Sequence, residues 1–195
     1  MTMTLKAFLS ALAIGITLLA FIPYISSIMK GKTKPHVFSW IIWGTTTFVV
    51  FLAQLDDNGG VGAWPIGVSG IITILIACLA YTKRSDISIT TSDWIFFVMA
   101  MSALLLWYLL KDPLWAVVVL TTVDSVGFIP TVRKVYHAPY SEPLSFIILF
   151  LVRNILVILA LEHYSLTTVL FPAVIAMDCL LLIILIMLRR YEINT

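Results

Sequence analysis

Residues 5–29 read LKAFLSALAIGITLLAFIPYISSIM, a run of 25 with a single charge, Lys6, near its start and a single proline, Pro23, near its end. A helix that crosses a bilayer needs about 20 mostly apolar residues, with a range of roughly 17–25. The run therefore reads as a membrane span. One lysine before an apolar run also suits a secretory signal, but this segment takes part in an internal repeat, which a cleaved leader would not. The whole chain agrees with the span. Of 195 residues, 61% are hydrophobic and 11% charged, against about 45–50% apolar and about 25% charged in soluble domains. Twelve Lys and Arg and ten Asp and Glu cannot coat a soluble core of this size, so an ordinary globular enzyme is excluded. Nine Gly and eight Pro exclude collagen and low-complexity chains, and two cysteines inside apolar runs, Cys78 and Cys179, read as core residues rather than a disulfide framework.

Outward from the first run the same length criterion finds six more spans: His36–Leu55, Val61–Thr82, Trp94–Leu110, Leu114–Val132, Leu144–Leu161 and Leu166–Leu188. The breaks between them hold turn signals such as Lys30-Gly31-Lys32, Asp56-Asp57-Asn58-Gly59-Gly60, Asp112-Pro113 and Ala138-Pro139. With seven spans, Lys30, Lys32, Lys34, Lys83, Arg84, Arg133, Lys134, Arg189 and Arg190 fall on one side. The other side has only Lys6 and Lys111, together with Asp56, Asp57, Asp112 and Glu162. Basic residues in short loops stay cytoplasmic, which predicts the N-terminus outside, the C-terminus in the cytoplasm, and a plasma or bacterial inner membrane as the location. Lys83, Arg84, Arg189 and Arg190 suit headgroup anchoring better than nucleic-acid binding.

The Phe21-Ile22-Pro23 tripeptide in the first span returns as Phe128-Ile129-Pro130 in the fifth, 107 residues later. Each copy leads into a basic stretch, a loop proline and a serine at the start of the next span: Phe38-Ser39-Trp40 and, with a one-residue gap, Leu144-Ser145-Phe146. Trp64-Pro65 and Phe171-Pro172 are again 107 apart. The expected fold class is therefore an all-α integral membrane protein of seven transmembrane helices, built as two parallel three-helix repeats joined by a linker helix (3+1+3). The first repeat covers 1–82, the linker 83–110, and the second repeat with a short tail 111–195. Pro23 and Pro130 each remove one helical hydrogen bond and offer one bend per repeat, as a hinge or as a tolerated kink.

This pattern resembles the PQ-loop motif, and the 3+1+3 layout resembles the SWEET sugar transporters of the same superfamily, over nearly the whole chain. The resemblance implies an outside N-terminus, cytoplasmic motif loops, and a tetrad of prolines at the cytoplasmic ends of the first, second, fifth and sixth helices, to which Pro23, Pro35, Pro130 and Pro143 correspond. The chain departs from the family where the glutamine that names the motif is replaced by Tyr24 and Thr131. It departs again in having no asparagine in the third or seventh span, where sugar-carrying members use one. Function is accordingly expected to be alternating-access movement of a small polar solute between the two bundles. The alternative is a receptor or scaffold on the same seven-helix plan that binds without transporting.

Three ionisable residues lie inside spans, all in the second repeat: Asp124, Arg153 and Asp178. Each costs about 2.5–3.5 kcal/mol at mid-membrane on insertion scales, so all three are expected to face inward. One Arg with two Asp suits a structural ion pair, proton coupling through Asp124 or Asp178, or direct solute contact with Arg153 anchoring a carboxylate or phosphate. The resemblance adds that PQ-loop transporters of lysosomal type use an intramembrane aspartate for proton coupling. Candidate solute-binding residues are Trp43, Thr47, Thr73, Arg153, Asn154 and Asp178. Trp40, Trp43, Gly44 and Thr47 share one helix face, and Gly44 is expected to open space beside Trp43. Thr121, Thr122 and Ser125 flank Asp124 and could satisfy its oxygens. His36, His137 and His163 lack metal-ligand spacing, and no Walker loop, HExxH, GxSxG or CxxC occurs, so neither an enzyme nor a cofactor is expected. The expected partners are a small-molecule solute, the lipid bilayer and a second copy of the chain in a homo-oligomer, with no nucleic acid.

Overall fold

The structure, a computed structural model, describes residues 2–32, 35–83, 91–140 and 142–194. Lys34 and Arg84, used in the charge count, lie outside the described residues, as does the side chain of Pro130. All regular structure among the described residues is helical: α1 (Met3–Met29), α2 (Val37–Asp56), a 3-10 turn over Gly60–Ala63, α3 (Trp64–Thr82), α4 (Thr91–Leu110), α5 (Pro113–His137), α6 (Leu144–Ala160) and α7 (Leu166–Asn194).

Local chemistry explains most boundaries. His36 caps α2, its Nδ1 accepting from the Ser39 amide at 3.4 Å, and Asp112 caps α5 by accepting from the Leu114 amide at 2.9 Å, with Pro113 in the first turn where its missing N–H costs nothing. Gly31, at φ +69°, ends α1. Its amide and that of Lys32 fold back on the Ile28 and Ser27 carbonyls, a turn that a Cβ would strain. The apolar runs and the helices coincide at most starts, but α5 and α7 continue to His137 and Asn194, beyond the expected Val132 and Leu188. An apolar run marks how much helix suits lipid, and backbone hydrogen bonding continues until a breaker arrives. For α5 that breaker is Ala138-Pro139.

Among the described residues, five helical segments are long and apolar enough to cross a membrane: α1, α2, the 3-10 turn with α3, α5 and α7. Trp94–Leu110 and α6 are apolar but shorter. Side chains such as Phe8, Leu19, Leu75 and Leu181 stand outward and are more than half exposed, as expected where lipid is the solvent. Cys179 is buried, whereas Cys78 is exposed, contrary to the expectation that both are core residues, because it sits on the outward stripe of α3.

The helices pack in two groups. In one, α3 packs against both α1 and α2; in the other, α7 packs against both α5 and α6. Between the groups α1 meets α6 and α2 meets α5, while α4 lies against α5 and α2. The loops after α2, α4 and α6 gather at one end with the start of α1, where Lys6 donates to the Leu161 carbonyl at 2.7 Å and Ser10 to the Val61 carbonyl at 2.6 Å. This is the acidic end. At the opposite, basic end, Arg190 donates to the Pro139 carbonyl at 3.0 Å, and Lys134 pairs with Glu142 at 2.8 Å.

The apolar core differs between the ends. At the acidic end a single cluster draws on both groups, including Val50, Ala53, Ile66, Val117, Leu120, Val157 and Phe171. Toward the basic end there are two clusters. One holds Phe21, Ile28, Ile72 and Ile76 of α1 and α3, and the other Val135, Ile147, Cys179, Leu182 and Ile186 of α5, α6 and α7. Phe150 packs against both.

Candidate functional site

The two carboxylates inside the spans, Asp124 and Asp178, each accept from a hydroxyl. Thr46 Oγ1, on α2, donates to Asp124 Oδ1 at 3.1 Å across the boundary between groups, and lies 3.0 Å from the Trp43 carbonyl of its own helix. Ser125 Oγ, on α5, donates to Asp178 Oδ2 on α7 at 3.0 Å. The expected flanking hydroxyls of α5 are thus split in use. Ser125 serves Asp178 instead of its neighbour, Thr122 bonds its own helix at the Val118 carbonyl, and the buried Thr121 hydroxyl has no partner among the described residues. A groove between α5 and α7 is lined by Thr121, Thr122, Ser125, Leu170 and Val174.

Arg153 stands apart from both aspartates, and among the described residues no ion pair joins it to either. The reason lies in the helix order. Arg153 projects from α6, α7 separates α6 from α5, and Asp178 on α7 is turned to Ser125 on the α5 side. Arg153 is 2% exposed. Its Nη1 donates to Asn154 Oδ1 and its Nη2 to the Pro65 carbonyl, each at 3.1 Å, while Nε has no partner. Its guanidinium lies 5.6 Å from the Phe150 ring centroid, within cation–π range. Asn154 is fully buried, and its Nδ2 donates to the Phe150 carbonyl at 2.8 Å.

The aromatic candidate is set in a ladder. Tyr24 stacks on Trp40 with centroids 5.0 Å apart, and Trp40 meets Trp43 edge-on at 5.9 Å. Trp43 Nε1 faces Gly127 on α5, where an added Cβ would lie 3.2 Å from it. Gly44 does not open space for Trp43. An added Cβ there would lie 2.7 Å from Ile74 Cγ1 and 2.9 Å from the Ile74 amide nitrogen, so this glycine lets α2 approach α3. Thr47 is buried on α2, and Thr73 donates to the Ser69 carbonyl of its own helix at 2.8 Å. The structure therefore brings together Trp43, Asp124 and, through α5, Asp178; it keeps Thr73 and the Arg153–Asn154 pair apart from them in bonding.

Of the prolines, Pro23 lies inside α1, Pro35 is buried ahead of α2, and Pro143 caps α6. Pro172 lies inside α7.

The acidic end holds polar residues that the sequence did not mark as a set. Gln54 Nε2 on α2 donates to the Thr168 carbonyl on α7 at 2.7 Å, buried. Ser165 Oγ donates to Asp57 Oδ2, and His163 Nδ1 lies 3.8 Å from the same carboxylate oxygen. Glu162 Oε1 accepts from the Val61 amide at 2.9 Å, and the Glu162 amide donates to the Gly59 carbonyl at 3.1 Å. Gly62 touches the second group directly, since an added Cβ would lie 2.4 Å from the Leu161 amide nitrogen. One signal was visible beforehand: Gln54 is the only amide side chain in α2. Among the described residues, no three His, Cys, Asp or Glu gather closely enough to hold a metal ion. No family model matches this chain, and neither a curated protein nor a solved structure matches it.

Proposed function

We propose that the chain is a membrane transporter of a small polar solute, with α1–α3 and α5–α7 as parallel repeats of PQ-loop/SWEET-like type, α4 as linker, and alternating access between the two bundles. The observation that carries this reading is the core: one apolar cluster shared by both groups at the acidic end, and one cluster per group toward the basic end. A fold of this kind opens by parting two bodies at one end while they stay joined at the other. The crosswise packing of α1 on α6 and α2 on α5, with α3 and α7 in equivalent central places, is what a two-fold relation between repeats would produce. Pro23 and Pro130 serve as the hinge pair in this reading, with Pro35 and Pro143 at the neighbouring helix starts.

Trp43, Thr47, Thr73, Arg153, Asn154 and Asp178 form the proposed solute-contacting set. Asp124 and Asp178 are the proton-coupling candidates, because each carboxylate has a hydroxyl partner and neither has a cationic one among the described residues. A carboxylate so placed can exchange a proton without breaking an ion pair. The basic end is cytoplasmic in this reading and the acidic end external, following the loop charges. The test is solute uptake in sealed proteoliposomes. Asp124→Asn and Asp178→Asn are expected to lower uptake severalfold, with any proton dependence lost in one of them. Binding without equilibration across the vesicle membrane would instead identify a receptor or scaffold, and unchanged transport and pH profile in both variants would remove the coupling role.

A further inference from the structure

The guanidinium of Arg153 carries five N–H donors and a permanent positive charge. Two donors are used, one toward Asn154 Oδ1 and one toward the Pro65 carbonyl, and both acceptors are neutral. Three remain, including an Nε with no partner, on a side chain 98% buried within the helix packing, as its 2% exposure states. A buried cation without a counter-ion is strongly disfavoured, and Arg cannot shed its charge to relieve this. The Phe150 face, 5.6 Å from the guanidinium carbon, offsets part of the cost but supplies no acceptor.

The placement of this charge matters as much as its burial. Arg153 belongs to α6, and the Pro65 carbonyl belongs to α3 in the other group. The bond therefore crosses the seam along which the proposed bundles separate. When α6 withdraws from α3 the arginine loses that carbonyl, and a fourth donor is freed while the seam opens to admit an acceptor.

We infer that Arg153 is the anion site of the proposed transport pathway and that the solute is a small monocarboxylate, held by the guanidinium with Asn154 beside it. A planar carboxylate matches two parallel N–H donors of a planar guanidinium. A single negative charge neutralises the site, whereas a dianion would leave surplus negative charge buried among the helices. This assignment rests on the transport reading for its route of access, and its binding half stands or falls separately.

The experiment is thermal unfolding of the full-length protein in detergent, followed by tryptophan fluorescence, with sodium acetate, lactate and benzoate set against acetamide, lactamide and benzamide at ionic strength held with sodium chloride. At least one carboxylate is expected to raise Tm by about 3–6 °C at a tenfold excess over its Kd, and its amide is expected to leave Tm unchanged. The rise is lost in Arg153→Gln and shifted to higher concentration in Arg153→Lys, which keeps the charge without the fork. The wild-type comparison of acid with amide needs no variant to fold. Equal effects of acid and amide, no shift with any of the three acids, or a shift that survives in Arg153→Gln would overturn the anion site. Uptake of the same labelled acid into proteoliposomes separates the two claims. Arg153-dependent binding without uptake keeps the anion site and removes the transport reading, whereas uptake of an uncharged solute with no carboxylate shift keeps transport and removes the anion.

Discussion

The two ends of the molecule hold their helices together in different ways. At the acidic end, α1–α3 and α5–α7 share one apolar core and are further joined by Gln54 to the Thr168 carbonyl, Asp57 to Ser165, and Glu162 to the backbone at Gly59 and Val61. Toward the basic end each group has its own core, with Phe150 packed against both. The described bonds among Lys134, Glu142, Arg189, Arg190, Tyr136 and Pro139 stay within the second group. A protein joined in this manner has continuous packing across both groups at one end and, among the described residues, separate cores with Phe150 packed against both at the other. In the proposed transport reading, the acidic end is the contact that must break for that end to open.

The largest expected effect is that of Gly62→Val. Its side chain would occupy space taken by the Leu161 and Ala160 backbone, which cannot yield as a flexible side chain could, so a loss of about 3 kcal/mol is expected. Hydrogen exchange should rise in residues 54–64 and 160–168 and stay unchanged near Ile147 and Ile186; a uniform rise would mean that the acidic end does not open as a separate unit. Phe150→Ala comes next. Its ring is only partly buried, so the cost is set below that of a full core deletion, at about 2–3 kcal/mol, with exchange rising at the basic end instead. Gln54→Ala should cost about 1–2 kcal/mol by leaving the Thr168 carbonyl buried and unpaired. Gln54→Met should cost less, because Gln54 Oε1 already lacks a partner. Smallest is Thr121→Val, expected within about 0.5 kcal/mol of wild type. Its hydroxyl has no partner to lose, and a clear loss of Tm would show that the groove between α5 and α7 supplies one.

The helices were legible because depth in a membrane is written in apolar length. All seven expected runs lie within helices or end within a residue or two of them, and the overruns of α5 and α7 arise because hydropathy reports lipid contact and says nothing of backbone bonding. The site was legible only in part. Insertion cost alone turns Asp124, Arg153 and Asp178 inward, and each makes at least one hydrogen bond within the protein, although Arg153 Nε has no partner among the described residues. Their partners could not be read, because a partner depends on the rotation of one helix against another. Thr46 reaches Asp124 from 78 residues away, while α7 stands between Arg153 and Asp124 and its own Asp178 is turned to Ser125. Gly44 shows the same limit. Its absence of a side chain was plain, but which neighbour would use the room depended on how α2 meets α3.

The two cysteines give this architecture a built-in means of observation. Cys78 is exposed on α3 and Cys179 is buried in the basic-end core of the second group, so a thiol reagent that reaches the outer surface of the bundle should modify one and spare the other. A second equivalent of label would then be taken up only as fast as α7 is uncovered. The untouched chain thus reports the uncovering of α7, and if the proposed anion site is right, adding a monocarboxylate should change the rate of the second modification while leaving the first alone.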